Sequence, residues 1–186
     1  MSPRITELLH HLEANRVELR RTLDDVPPAR RGRRPGLDRW SVAEVLEHLA
    51  IVEGRVTQRM TAALAAAREA GLPADDGRGS VVDRSFLDRV ADRTTRFKTS
   101  EAGEPRDGLT AEAAWRHLEG TRAAFVDLLR STDGLTADAI AAPHPFFGSL
   151  TFYQWAVFLA AHDVRHAAQI REINATLAAS DTATLA

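Results

Sequence analysis

The chain has 186 residues, of which 44% are hydrophobic and 27% charged: apolar material for one compact domain spanning residues 1–186, in too short a chain for two separately cored ones. Its 24 Lys and Arg against 26 Asp and Glu give a formal charge of −2, so no basic field marks it for nucleic acid. It has no Cys, which excludes disulfides, thiolate metal sites and a Cys nucleophile, leaves any metal to His or carboxylate, and fits the reducing cytoplasm where the protein is expected. The opening MSPRITELLHHLEANRVELRR interleaves charges with apolar residues, and no uncharged apolar run reaches the ~18 residues of a membrane span.

Ile5, Leu8, Leu9, Leu12, Leu19 and Leu23 recur at helical spacing, and Pro27 and Pro28 close this first helix after Val26. The Arg-, Pro- and Gly-rich stretch from Pro28 to Arg39 lacks periodicity and reads as a loop. Ser41-x-x-Glu44 then forms a capping box, and a stripe from Val42 through Val45, Leu49, Val52, Val56 and Met60 carries a second helix to about Gly71. From Gly71 to Gly108 the pattern weakens. Pro73, Asp75, Asp76, Gly77 and Gly79 make a turn-rich stretch, and Ser80 to Arg93 leaves room for a short helix inside a long crossover.

Thr110 caps a third helix carrying Ala114, Trp115, Leu118, Phe125, Leu128 and Leu129, which ends near Asp133-Gly134. Pro143, Pro145 and Gly148 make the next break. Thr151-x-x-Gln154 is a second capping box, and Trp155, Phe158, Leu159, Ile170 and Ile173 mark a fourth helix to about Ala179. No segment sustains apolar–polar alternation between turn signals, so strands are not expected. The reading is an all-α four-helix bundle whose long second-to-third link permits a crossover in place of simple up-down connectivity.

His162-Asp163-Val164-Arg165-His166 lies inside the fourth helix, where an i,i+4 spacing projects two imidazoles from neighbouring points of one face. Trp155, Phe158, Leu159, Gln169 and Ile173 share that face, so the pair points toward the core and needs polar partners there. A divalent cation would satisfy both rings; two separately hydrogen-bonded histidines would also do so. The spacing equals that of HExxH, but Asp163 stands where that motif has its general-base Glu. His48 is the best third ligand, at the edge of the second helix's stripe. His10 and His11 cannot face the same way, His117 has surface-like neighbours, and His144 is at most a pocket-lining residue. Arg30, Arg31, Arg33 and Arg34 are a basic cluster that reads first as a solvated loop and second as an anion clamp.

The segments Trp40 to Leu49, His144 to Thr151 and His162 to Ile170 together resemble the DinB-like superfamily, the DinB/YfiT-like proteins, over almost the whole chain. The resemblance implies a four-helix bundle in which one His of the second helix and the HxxxH pair of the fourth hold a divalent metal; these map onto His48, His162 and His166. Relatives include S-transferases and an isomerase that use low-molecular-weight thiols. Three neutral imidazoles leave an open coordination position, where water on zinc has a pKa near ~7 and a thiol can bind as thiolate. The expectation is thus a metal-dependent enzyme activating a small thiol, S-transferase-like, or water, hydrolase-like, on a small-molecule substrate. Zn or Ni is favoured, with Fe or Mn as other occupants. The rival is a noncatalytic stress-response or ligand-binding bundle with a structural metal or none. Gln169, Trp155, Asp163, Glu44 and His144 are candidates around the ligands: Gln169 to orient an imidazole, Trp155 to wall the pocket, Asp163 and Glu44 to carry protons. Phe146 and Phe147 would cover the pocket mouth or join a homodimer contact.

Overall fold

The computed structural model describes residues 1–75, 77–106 and 108–184; Asp76, read above as part of a turn, lies outside them. Helix α1 (Pro3–Asp24) starts on Pro3, whose missing N–H costs nothing in a first turn, and buries Ile5, Leu8, Leu12, Leu19 and Leu23. The stretch read as a plain loop opens with a single helical turn, α2 (Pro28–Arg31). Pro28 again supplies a first-turn φ, while Gly32 and then Pro35 and Gly36 stop the helix from extending.

Helix α3 (Val42–Glu69) carries the expected capping box in full: Ser41 Oγ accepts from Glu44 N at 3.2 Å, and Ser41 N donates to Glu44 Oε2 at 2.8 Å. Replacing Ser41 by Ala removes one of these bonds and is expected to destabilise the protein by about 1 kcal/mol in urea denaturation, with an unchanged m-value. A short helix, α4 (Arg84–Ala91), sits within the crossover, capped by Asp83, and packs onto α6 with Phe86 and Val90 buried. Helix α5 (Ala111–Arg130) is capped by Thr110.

Between α5 and the last helix the expected break holds a two-stranded antiparallel hairpin, β1 (Ala141–His144) and β2 (Gly148–Thr151), with Ala142 opposite Leu150 and His144 opposite Gly148. Strands of four residues are too short for alternation to be read against noise. Gly148 takes φ 74°, which lets the three-residue turn after His144 re-enter the ladder. Helix α6 (Phe152–Thr184) follows at once, with Thr151 and Gln154 exchanging both capping-box bonds, and runs past the expected end near Ala179.

The structure is thus mostly helical with one small sheet. The densest contacts are α3 with α5 and α1 with α6. Contacts rise together along each pair: Arg16 meets Asp163 and Glu18 meets Arg171, while Glu53 meets Arg122 and Arg68 reaches Ser131. Each pair is therefore parallel. Against each other the pairs run antiparallel, since His48 lies beside His166 and Arg59 lies over Trp155. The crossover of residues 70–110 spans the length of α3 and returns the chain to start α5 alongside it.

The apolar core falls into two clusters. One is built on Leu12, Met60, Phe125 and Phe152, the other on Leu19, Leu46, Leu118 and Ile170. Between them lie four buried charged residues, one from each long helix: Arg16, Glu53, Arg122 and Asp163. Arg16 donates to Glu53 at 2.8 Å and to Asp163 at 3.0 Å, and Arg122 donates to both carboxylates as well. Remaining guanidinium protons go to the carbonyls of Leu118 and Leu12, at 3.1 and 2.9 Å. Burial works against the Arg16 charge, but Asp163 and Glu53 outweigh it and raise its pKa. Among the described residues no helix is long and apolar enough to cross a membrane.

Candidate metal centre

His48 leaves α3 two turns after its cap, and His162 and His166 leave α6 one turn apart. The antiparallel crossing of these helices brings the three rings together, with His48 centroids 5.3 and 5.0 Å from those of His162 and His166. One ligand nitrogen from each ring lies within 4.8 Å of the others. The rings are largely out of solvent, His48 and His166 at 5% exposure and His162 at 9%.

Burial pulls all three pKa values down, and each ring's neighbours add to the effect for His162 and His166. The imidazoles are therefore neutral at neutral pH, the state in which they offer a lone pair to a cation.

Their hydrogen bonds also fix the tautomers of two rings. His48 Nδ1 lies 2.7 Å from the carbonyl oxygen of Gly103, so Nδ1 carries the proton and Nε2 the lone pair. His166 Nδ1 lies 2.8 Å from Gln169 Oε1. Arg93 Nη1 donates to that same oxygen at 3.4 Å and can only donate, so the Gln169 atom is an acceptor and His166 Nδ1 a donor. His166 Nε2 then faces His162 Nε2 at 3.0 Å. Two lone pairs repel at that distance, so a proton or a cation must lie between them. Imidazole nitrogens bound tetrahedrally at about 2.0–2.1 Å sit about 3.3 Å apart, close to this spacing, so the donor set fits a divalent cation.

The three histidines line one end of a cavity of about 820 Å³. Phe158 stacks on His162 at 5.1 Å, Trp40 lies 4.9 Å from His48, and Trp155, His144, Phe146 and Phe147 line the cavity further along. His144 sits 5.2 Å from Trp155 and 4.6 Å from Phe158; its burial, helped by the Arg59 charge, lowers its pKa to about 4, so it adds no charge at neutral pH. The crossover makes one wall. Arg165 donates to the carbonyls of Asp92 and Thr95 and lies 5.0 Å from the Phe97 ring, fixing the segment that leads to Gly103.

Of the residues singled out in sequence, Gln169, Trp155 and His144 share the cavity with the three histidines, while Asp163 and Glu44 do not line it. Asp163 is 1% exposed and held by Arg16 and Arg122, because one residue past His162 turns about 100° away into the charged layer. Partial burial opposes the Glu44 charge, but Arg34 and the Ser41 cap outweigh it and hold its pKa below the usual carboxylate range. That carboxylate belongs to the helix start. The basic cluster is spent elsewhere as well, Arg30 and Arg33 on Asp181, Arg31 on Glu112 and Arg34 on Glu44. Phe147 meets Phe97, Phe86 and Phe158 in the cavity wall, and the Phe146 ring lies tilted 4.7 Å from Phe97 while remaining half exposed.

Sequence reasoning missed Gly103, Arg93 and Phe97, which lie in stretches without periodicity. It also missed Arg55 and Arg59, although both follow His48 at spacings that keep them on its face of α3.

No solved structure matches the chain significantly. The chain is similar to the uncharacterized protein YuaE of Bacillus subtilis (strain 168), 26% identical over 159 residues that cover 85% of this chain and 91% of that protein. The DinB superfamily matches residues 11–170, a span that contains all three histidines, the whole of α3 and α5 and most of α1 and α6. A buried three-histidine centre between α3 and α6 and a family match over most of the sequence agree, and the chain belongs to the DinB superfamily.

Proposed function

We propose that His48, His162 and His166 hold a divalent metal ion, and that the protein is a metal-dependent enzyme acting on a small molecule in the adjoining cavity, by thiol transfer or by hydrolysis. The observation that carries this is the convergence of three neutral, buried imidazoles, two with their Nδ1 protons already committed to acceptors. A divalent cation bound there supplies Lewis acidity that makes a nucleophile of water or a thiol at neutral pH.

The chain's own part is positioning. The Gly103 carbonyl and Gln169 aim the Nε2 atoms of His48 and His166 at one point, and Phe158 and Trp40 exclude bulk water from the rings. The aromatic wall of Trp155, Phe97 and Phe147 offers a face to an apolar substrate portion. Nitrogen donors without thiolate suit Zn or Ni, with Fe or Mn as other occupants. The same reading takes residues 1–186 as one domain and the four long helices as a four-helix bundle, supported by the charged layer to which each contributes one residue.

The test is elemental analysis of untagged protein prepared without chelator, beside His48→Ala and His166→Ala. About one metal per chain in the wild type, lost from both variants, is the expected result. Wild type that takes up no Zn, Ni, Mn or Fe after reconstitution would overturn the proposal and leave a ligand-binding helical protein.

A further inference from the structure

The residues around the cavity do not share the chain's overall charge. The whole sequence is at −2, yet among the described residues seven Arg and Lys line the cavity against three carboxylates, Asp38, Glu104 and Glu172. Two of the seven have structural partners: Arg93 pairs with Glu172, and Arg165 is bound to backbone carbonyls. The other five, Arg39, Arg55, Arg59, Arg96 and Lys98, make no ion pair among the described residues.

Their positions along α3 give the cavity a direction. Val52, Arg55 and Arg59 follow His48 by four, seven and eleven residues, spacings that stay within about 40° of its face. At 1.5 Å per residue, Arg55 lies about 10 Å and Arg59 about 16 Å along the axis from His48. Helix α6 supplies the opposite wall in reverse order, His166, His162, Phe158 and Trp155, and Arg59 lies 5.8 Å from the Trp155 ring. One end is therefore the histidine centre, the middle is aromatic, and the other end carries two guanidiniums. Among the described residues Arg59 is held there by one bond, Nη1 to the Pro143 carbonyl at 2.8 Å, which leaves most of its five N–H donors unspent there.

We propose that Arg55 and Arg59 form an anion-binding subsite at the end of the cavity away from the histidines, and that the natural ligand is an elongated organic anion with an apolar or aromatic middle. Its carboxylate or other acidic group meets the guanidiniums, which match such groups bidentately, and its middle lies against Phe97, Phe147 and Trp155. The assignment of the ligand's reacting end to the histidines rests on the metal reading; the anion subsite does not. With its acidic end anchored about 10–16 Å from His48, a ligand of matching length places its other end at the three imidazoles, and a shorter one does not.

The test uses full-length protein freed of metal by chelator, with ω-phenylhexanoate and its neutral amide as probes. Binding is followed by calorimetry and by the fluorescence of Trp40 and Trp155, which line the cavity. Wild type is expected to bind the acid about tenfold or more tighter than the amide, a preference that falls with salt. Arg55→Gln with Arg59→Gln is expected to erase the preference while keeping amide binding and the helical circular dichroism spectrum. Arg55→Gln alone removes a side chain with no bond to the fold among the described residues and is expected to lose part of it. Arg55→Lys with Arg59→Lys is expected to keep part, and Arg34→Gln, outside the cavity, all of it. Equal binding of acid and amide by wild type, no detectable binding of the acid at millimolar concentration, or a preference that survives the double Gln variant would overturn the subsite. Because the protein is tested free of metal, failure here leaves the metal result untouched, and absence of metal leaves this one untouched.

Discussion

Replacing Asp163 by Ala is expected to destabilise the protein by about 3–5 kcal/mol, one of the two largest effects anticipated for a single substitution. Asp163 accepts from both Arg16 and Arg122 in a layer where every member is at most 7% exposed. Its loss leaves two buried guanidiniums facing the single carboxylate of Glu53, in a layer withdrawn from bulk solvent. At about 2–4 °C per kcal/mol for a chain of this size, the melting temperature falls by about 6–20 °C. The comparison is Asp127→Ala, which breaks an exposed pair with Arg130 at 3.6 Å and is expected to cost under about 1 kcal/mol. Equal urea midpoints for the two variants would refute the argument that the layer's charges are interdependent.

The same layer explains part of what the sequence conceals. Arg16 stands in register with Leu12 and Leu19, and Glu53 with Leu49 and Val56, so each is a charge on an apolar stripe. That pattern is visible along one helix, but it reads as a defect until four helices are superposed and the charges prove to cancel. Local signals fared better. The capping boxes at Ser41 and Thr151 lie within four residues, and the structure realises both. The HxxxH pair is likewise local; what brings His48 to it is the antiparallel crossing of α3 and α6, a tertiary fact that a single helix cannot encode. Residues 92–104 are the extreme case. They have no periodicity to read, yet they supply the Gly103 carbonyl and the Phe97 wall, because Arg165 bonds to their backbone instead of burying an apolar stripe.

Substituting Gln169 by Leu is expected to weaken zinc binding about 10- to 100-fold without changing the stoichiometry. Gln169 touches only the far side of the ring, Nδ1 of His166, and its own orientation is fixed because Arg93 donates to the same oxygen. With Leu in its place the ring loses its acceptor and divides between two tautomers, one of which carries the proton on Nε2 and cannot ligate. Buried Nδ1–H would also be left without a partner, adding a cost to the ligating form. Glu at the same position restores an acceptor for both His166 and Arg93, so Gln169→Glu is expected to bind zinc at least as tightly as wild type. A competition titration against a chromophoric chelator measures all three proteins. If Gln169→Leu matched wild type, the amide would be a packing residue; if Leu and Glu were equally weak, the loss would come from side-chain shape and not from the acceptor that His166 requires.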